Sequence, residues 1–271
     1  MNLWTVTRVE MRRALTRRLV RWMIVAAIGG CVLAGFVAYT TSADPLELVQ
    51  DPTHPAYLRN WWVGSGGDGV LLVAAVHLAI GAAICGASVA GAEWKHGTVT
   101  TLLTWDANRR RVHAARTLTA AVLSFLIAVV LQGLFLASFL PAVVAHGSTE
   151  GVDAAWWSAL LLAVLRIAAM TSFVAVVALS LATIGRSTTV ALVVVGAWAL
   201  AVEGTIRSLK PGIARFLIGE NVAIVVPWSP ISDAPFERGP LLASATLVAY
   251  LAVTALVAGV TFVRRDVAGA A

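Results

Sequence analysis

The chain has 271 residues, 59% of them hydrophobic and only 13% charged, and its mean hydropathy is +0.85. A soluble domain carries about 25% charged residues, so this composition excludes an ordinary water-soluble domain and indicates an integral membrane protein. The net charge of +6 comes with no soluble fold to hold a basic segment, so it reads as membrane topology and excludes nucleic acid as the partner.

In residues 1–18, Leu3, Val6, Val9 and Leu15, continued by Leu19, fall near helical spacing with arginines between them. That pattern predicts an amphipathic helix lying in the cytoplasmic interface, although the arginines also serve as plain topology charges. The apolar run 19–40 is too long for a signal-peptide core of about 7–15 residues and is read as a retained first span. Cys31 and Cys85 both lie in apolar runs and are read as packing residues. The first loop is acidic, with Asp44, Glu47, Asp51 and Asp68. Trp61, Trp62, Trp156, Trp157 and Trp228 fall at span boundaries, where they are expected to anchor in the interface. "GSGGDG" (64–69) satisfies a dinucleotide signature in letters only: it follows Trp-Trp rather than a strand, and reads as a flexible entry to the second span.

Five further runs, 70–92, 114–140, 156–184, 188–204 and 241–263, complete an all-α membrane protein with six spans and a single domain over 19–271. A span needs roughly 20 apolar residues, and lipid leaves helices as the way to satisfy backbone groups where no barrel alternation is present. The fifth run is the shortest. Arg166 lies within the fourth span and Glu203 near the outer end of the fifth, placed so that they could pair. Such charges mark a pathway, or else snorkel or form a structural ion pair. The segment 204–240 contains "IARFLI" and "VAIVV", each too short to span. These predict short helices dipping into or packing on the outer leaflet, or a compact outer loop. With the N-terminus inside, fourteen of the twenty Lys and Arg fall on the inner side, so both termini are expected to be cytoplasmic. The Ala, Arg and Val bias suits a GC-rich bacterial genome, hence a bacterial plasma membrane.

Catalytic signatures are not found. There is no G-x-x-x-x-G-K-[ST] for an ATP site, and Glu93 and His96 are not the H-E-x-x-H zinc arrangement. Of His54, His77, His96, His113 and His146, His77 alone falls within a span, so a haem held by two histidines is not expected. The chain is expected to be no enzyme and to hold no cofactor or metal.

One stretch interrupts the oil: "GAEWKHGTVTTLLTWDANRRR", from Gly91 to Arg111. Gly97 can break the second span's helix and Thr98 can cap a new one. "VTTLLTW" then makes two turns presenting Val99, Leu102, Leu103 and Trp105, followed by a basic turn. This is a protein-binding knob, or a loop whose arginines rest on headgroup phosphate.

The order of Glu93, Gly97-Thr98, Leu102-Leu103, Arg109 to Arg111 and Ala114-Ala115-Arg116 resembles the segment after the second helix in permease subunits of ABC-2-type ABC transporters. The resemblance covers about 25 residues in motif and nearly the whole chain in architecture. It implies a coupling helix seated in a cleft of an ATP-binding subunit, with Glu93, Gly97, Thr98, Leu102, Leu103, Trp105, Arg109 and Arg110 as the docking residues. It also implies two copies of that subunit, which bind the ATP and Mg, a second permease copy or a related one, surrounding membrane lipid, and export as the activity. One departure stands at Trp105-Asp106, where such permeases often carry a proline. The alternative is a non-transporting anchor or sensor that docks a cytoplasmic regulator.

Overall fold

Backbone amides that enter hydrocarbon have no water to bond, so each apolar run closes its own hydrogen bonds as a helix. The computed structural model describes residues 2–62, 69–95, 97–98, 101, 104, 106–231 and 234–264. Its helices are α1 (Leu3–Thr16), α2 (Arg18–Ser42), the short α3 (Pro45–Gln50), α4 (Val70–Lys95), α5 (Arg109–His146), α6 (Ala154–Gly185), α7 (Thr188–Leu209), α8 (Ile218–Val225) and α9 (Pro240–Arg264). Among the described residues six of these, α2, α4, α5, α6, α7 and α9, are long and apolar enough to cross a membrane. Each overlaps one of the six expected runs.

Side-chain caps start four of the helices: Asn2 accepts from Thr5 N (2.8 Å), Asn108 from Arg111 N (3.1 Å), Asp153 from Trp156 N (2.7 Å) and Ser187 from Val190 N (3.4 Å). Arg17 alone, in extended conformation, separates α1 from α2.

Helix α6 is the centre of the bundle, packing on α4, α5, α7 and α9. Its most apolar stretch is 44% buried, against 11% for those of α2 and α7, which sit at the periphery. Contact between α4 and α6 is close enough that a Cβ on Gly86 would fall 2.2 Å from the Ala175 carbonyl oxygen. One apolar core surrounds Ala87, Leu179 and Ala191 toward the end of the bundle that carries α1. A second, at the far end, gathers Trp61, Phe139 and Ile167.

Three expectations change. Trp61 and Trp62 are buried, 3% and 6% exposed, under a far-end lid rather than anchored in an interface. Trp61 donates Nε1–H to Pro55 O (2.9 Å) and its ring tilts on Phe139, while Leu58 N bonds Ser148 O (3.0 Å) to close the lid onto the loop after α5. The fifth span does not stop near 204: α7 passes through a π turn at Trp198–Val202 and continues to Leu209. In α1 the packed face is not the apolar one. Leu3, Val9 and Leu15 are exposed, whereas Val6, Thr7, Glu10 and Ala14 are buried, against α5.

The segment after α7 folds as a 3-10 helix (Pro211–Phe216) followed by α8. The apolar residues Ile224 and Val225 of α8 pack with Phe173 of α6 and with Ala243 and Leu247 of α9.

Candidate functional site

The segment that interrupts the apolar runs begins where α4 ends. Gly97 adopts φ +67°, a left-handed conformation that costs glycine nothing, and its N–H returns to Trp94 O (3.3 Å) as a helix stop. Helical backbone resumes at Thr98 and is present at Thr101 and Thr104; Thr98 is thus already helical rather than the residue before the helix. Leu102, Leu103 and Trp105, the expected docking side chains, lie outside the described residues. Asp106 then opens α5: its carboxylate accepts from Asn108 N (3.0 Å) and from Arg111 Nε (2.7 Å) and Nη2 (2.5 Å). The bidentate Arg111 guanidinium holds the Asp106 carboxyl down at about 2, from an ordinary 3.8. An ion-paired aspartate thus stands two residues before the Asn108 cap of α5.

Directly beneath lies a buried ionic cluster. Glu93, on the last turns of α4, is 3% exposed and accepts from Arg13 Nη2 (3.2 Å), Arg17 Nη2 (3.2 Å) and Arg116 Nη2. Arg17 also donates to Ser88 O (2.8 Å) and Val89 O (3.2 Å), carbonyls of the same helix about one turn before Glu93. Glu10 of α1 pairs with Arg13 (3.0 Å) and sits 3.9 Å from Arg116 Nε. Three guanidiniums thus surround two carboxylates where α1, α4 and α5 meet. Removing several ions from water is costly, and the cluster offsets this by charge-assisted hydrogen bonds on nearly every group. Burial pushes the Arg17 guanidinium down from its ordinary value, and neighbouring Arg13 adds to that. Thr119 Oγ1 donates to Thr7 O (3.3 Å), a second tie between α1 and α5, and the Arg116 guanidinium lies 5.8 Å from the Phe262 ring centroid of α9.

The remaining expected docking residues divide. Glu93 faces inward, so it holds the segment's root rather than offering a partner its carboxylate. Arg109 is half-buried and donates to Val263 O of α9 (3.3 Å). Gly97, Thr98 and Arg110 are exposed. Glu10, Arg13 and Arg17 were not singled out as site residues by sequence reasoning. The available signal was an acid in a basic helix, with arginines three and seven residues on.

Arg166 and Glu203 do not pair. Arg166 Nη1 donates to Val226 O (2.9 Å), with its guanidinium 5.3 Å from the Trp228 ring centroid. Glu203, 6% exposed, accepts from Trp198 Nε1 (2.8 Å) and from Gly219 N (3.1 and 3.0 Å). The pairing that their positions allowed is not made, because each charge bonds a backbone group of α8 or its flank. One turn beyond Glu203, Arg207 pairs with Glu220 of α8. Among the described residues no three His, Cys, Asp or Glu side chains gather as a metal set.

Compared with known proteins, no family model matches the chain, and no curated protein matches it.

Proposed function

We propose that the chain is the membrane-spanning subunit of an ABC-2-type ABC transporter, an exporter without its own ATPase, set in a bacterial plasma membrane with both termini cytoplasmic. The observation that carries the reading is where the motif sits. The segment 97–105 springs from two helices, α4 and α5, whose roots Glu93 and Arg116 share one buried ionic cluster with α1. A push on this segment is delivered to three helices together.

The mechanism is a lever. Two ATP-binding subunits, which hold the ATP and Mg, close on each other and displace the segment seated in their clefts. Through the charge cluster, α1, α4 and α5 move as one body and shift the contact with a second permease copy or a related permease. Coupling of this kind needs two global states with different contacts at the docking segment.

The test is co-purification of the intact chain in mild detergent from its native host. A partner with a P-loop, retained in stoichiometric amount and hydrolysing ATP faster in the complex than alone, supports the reading. A cytoplasmic partner without a nucleotide site overturns it in favour of a membrane-bound anchor or sensor.

A further inference from the structure

The end of the bundle away from α1 carries two arginines without a counter-ion. Arg215 stands on the 3-10 helix after α7, and Arg238 lies two residues before α9. Their guanidinium carbons are 5.0 and 5.8 Å from the centroid of one ring, that of Phe216, so both charges gather on a single aromatic side chain. Among the described residues neither arginine forms an ion pair. Glu220 is taken by Arg207, and Glu237, next to Arg238, makes none.

The frame that carries the pair is tied down. Tyr250 Oη of α9 donates to Phe216 O (2.9 Å), and Asn221 of α8, wholly buried, donates Nδ2 to Arg215 O (3.1 Å) and Leu217 O (2.6 Å). Arg238 lies along the first turns of α9, its Nη2 donating to Leu242 O (3.3 Å) and Thr246 Oγ1. Its Nε is enclosed with no partner, whereas Nη1, bonded to none of the described residues, is not enclosed and reaches the surface. Burial pushes the Arg238 guanidinium down from its ordinary value, and neighbouring Arg215 adds to that. Arg215 is exposed, and its guanidinium makes no hydrogen bond to the described residues. Exposed apolar side chains border the two charges: Ile213 and Phe216 from the 3-10 helix, Leu241 and Leu242 from α9. The 25 residues of α9 extend about 37 Å, more than a hydrocarbon core of about 30 Å, so its ends reach headgroup level.

We infer that Arg215 and Arg238 hold the phosphate of an anionic phospholipid, with its acyl chains lying along Phe216, Leu241 and Leu242. The phosphate oxygens accept from Arg238 Nη1 and from the Arg215 guanidinium, in charge-assisted hydrogen bonds that replace what the two side chains lack within the chain. No carboxylate touches either guanidinium to receive a cationic head group, so a lipid of net negative charge is preferred to a zwitterionic one. A water-soluble anion would satisfy the arginines but gain nothing from the apolar border. The site needs a bilayer and no ATPase, so it stands whether or not the chain is a transporter subunit.

Photo-labelling of the full chain in lipid nanodiscs tests this, with phosphatidylglycerol and phosphatidylcholine carrying the same diazirine beside the glycerol and the labelled peptides mapped by mass spectrometry. Phosphatidylglycerol is expected to label residues 211–217 and 238–246 about ten-fold more than phosphatidylcholine, the selectivity of one charge-assisted hydrogen bond. Arg215→Gln, an exposed change that removes no side-chain hydrogen bond or ion pair, should reduce that ratio several-fold. Adding Arg238→Gln should bring it close to parity, and Lys210→Gln, at an exposed cation nearby, should leave it unchanged. Equal labelling by the two lipids in the wild type overturns the proposal. So does a ratio that Arg215→Gln leaves intact, or one that Lys210→Gln lowers as much, the mark of a diffuse positive surface. Suppression of the labelling by millimolar inorganic phosphate would assign the pair to a soluble anion and overturn the lipid as its ligand. If the double variant does not fold, Arg215→Gln and the wild-type comparison of lipids still decide it.

Discussion

Glu203 and Arg166 hold opposite ends of one helix. Glu203 receives the N–H of Gly219 in the first turn of α8, and Arg166 donates to the carbonyl of Val226, just past its last residue. The acid stands at the positive end of the helix dipole and the base at the negative end, the stabilising arrangement at both termini. A helix of 8 residues is too short to persist alone, so these two side chains from α6 and α7 fix its ends while its apolar face packs on α6 and α9.

Charge exchange separates this from an ion pair. Glu203→Ala and Arg166→Met should each lower stability by about 1–3 kcal/mol, the cost of a buried group left unpartnered. The exchanged double variant Glu203→Arg/Arg166→Glu should melt below either single variant, because it puts the wrong sign at both ends of α8. Thermal unfolding in detergent, followed by tryptophan fluorescence, reads this out. Recovery toward wild-type stability in the double variant would show that the two charges pair directly.

Glu93→Gln leaves Arg13, Arg17 and Arg116 crowded without their shared carboxylate. Breaking a buried charge pair from one side costs about 3–5 kcal/mol. The variant should therefore lose monodisperse protein on size-exclusion chromatography at temperatures the wild type survives. Adding Arg116→Met should restore part of the loss, since it removes the most buried of the cations. A Glu93→Gln protein that melts with the wild type would sink the cluster's structural role.

Asp106 makes the root of α5 sensitive to acid. Its folded value of about 2 lies below the ordinary 3.8, so the unfolded state takes up the proton first as pH falls. The stabilisation is therefore full above about pH 4 and is lost as pH drops through about 2. Pepsin cleavage near 106–112 should rise across that window in the wild type. Asp106→Asn should already be cleaved fast at the upper limit and, normalised to a remote site, show no further rise. A parallel rise in both proteins would remove Asp106 as the cause.

The docking segment itself is tested by Leu102→Asp and Leu103→Asp. On the transporter reading, either charge spoils the apolar face that enters the ATPase cleft and uncouples ATP turnover from transport. Transport in proteoliposomes should fall, and stimulation of the ATPase by the permease should fall with it. Wild-type transport with wild-type co-purification would refute the role of this face.

The six spans were legible because long apolar runs carry their own signal, independent of what they touch. Trp61 and Trp62 were not, since a tryptophan at a boundary suits lipid and a protein lid equally, and the lid depends on pairing with the loop at Ser148. In α1 the hydrophobic pattern pointed to the exposed side. Its buried side is chosen by Glu10 and Thr7, whose value comes from Arg116 and Thr119 more than a hundred residues away. The short helix of "VAIVV" was expected, but the fate of Glu203 hinged on a π turn and on the backbone N–H of Gly219, which no local pattern announces. The Asp106 junction lay in plain view as Asp-x-Asn with an arginine five residues on, and its capping chemistry is local.

The ionic cluster also imposes an order on biogenesis. Glu93 is separated by 80 residues from Arg13 and by 76 from Arg17, so α1 leaves the ribosome long before its counter-charge is made. At roughly 5–20 residues per second that is a wait of about 4–16 s. Until α4 and α5 arrive, α1 has its own Glu10 and the lipid surface as neighbours. Helix α1, made before α4 and α5, is therefore among the last to reach its final setting, and a chain halted after α2 would leave its arginines without Glu93.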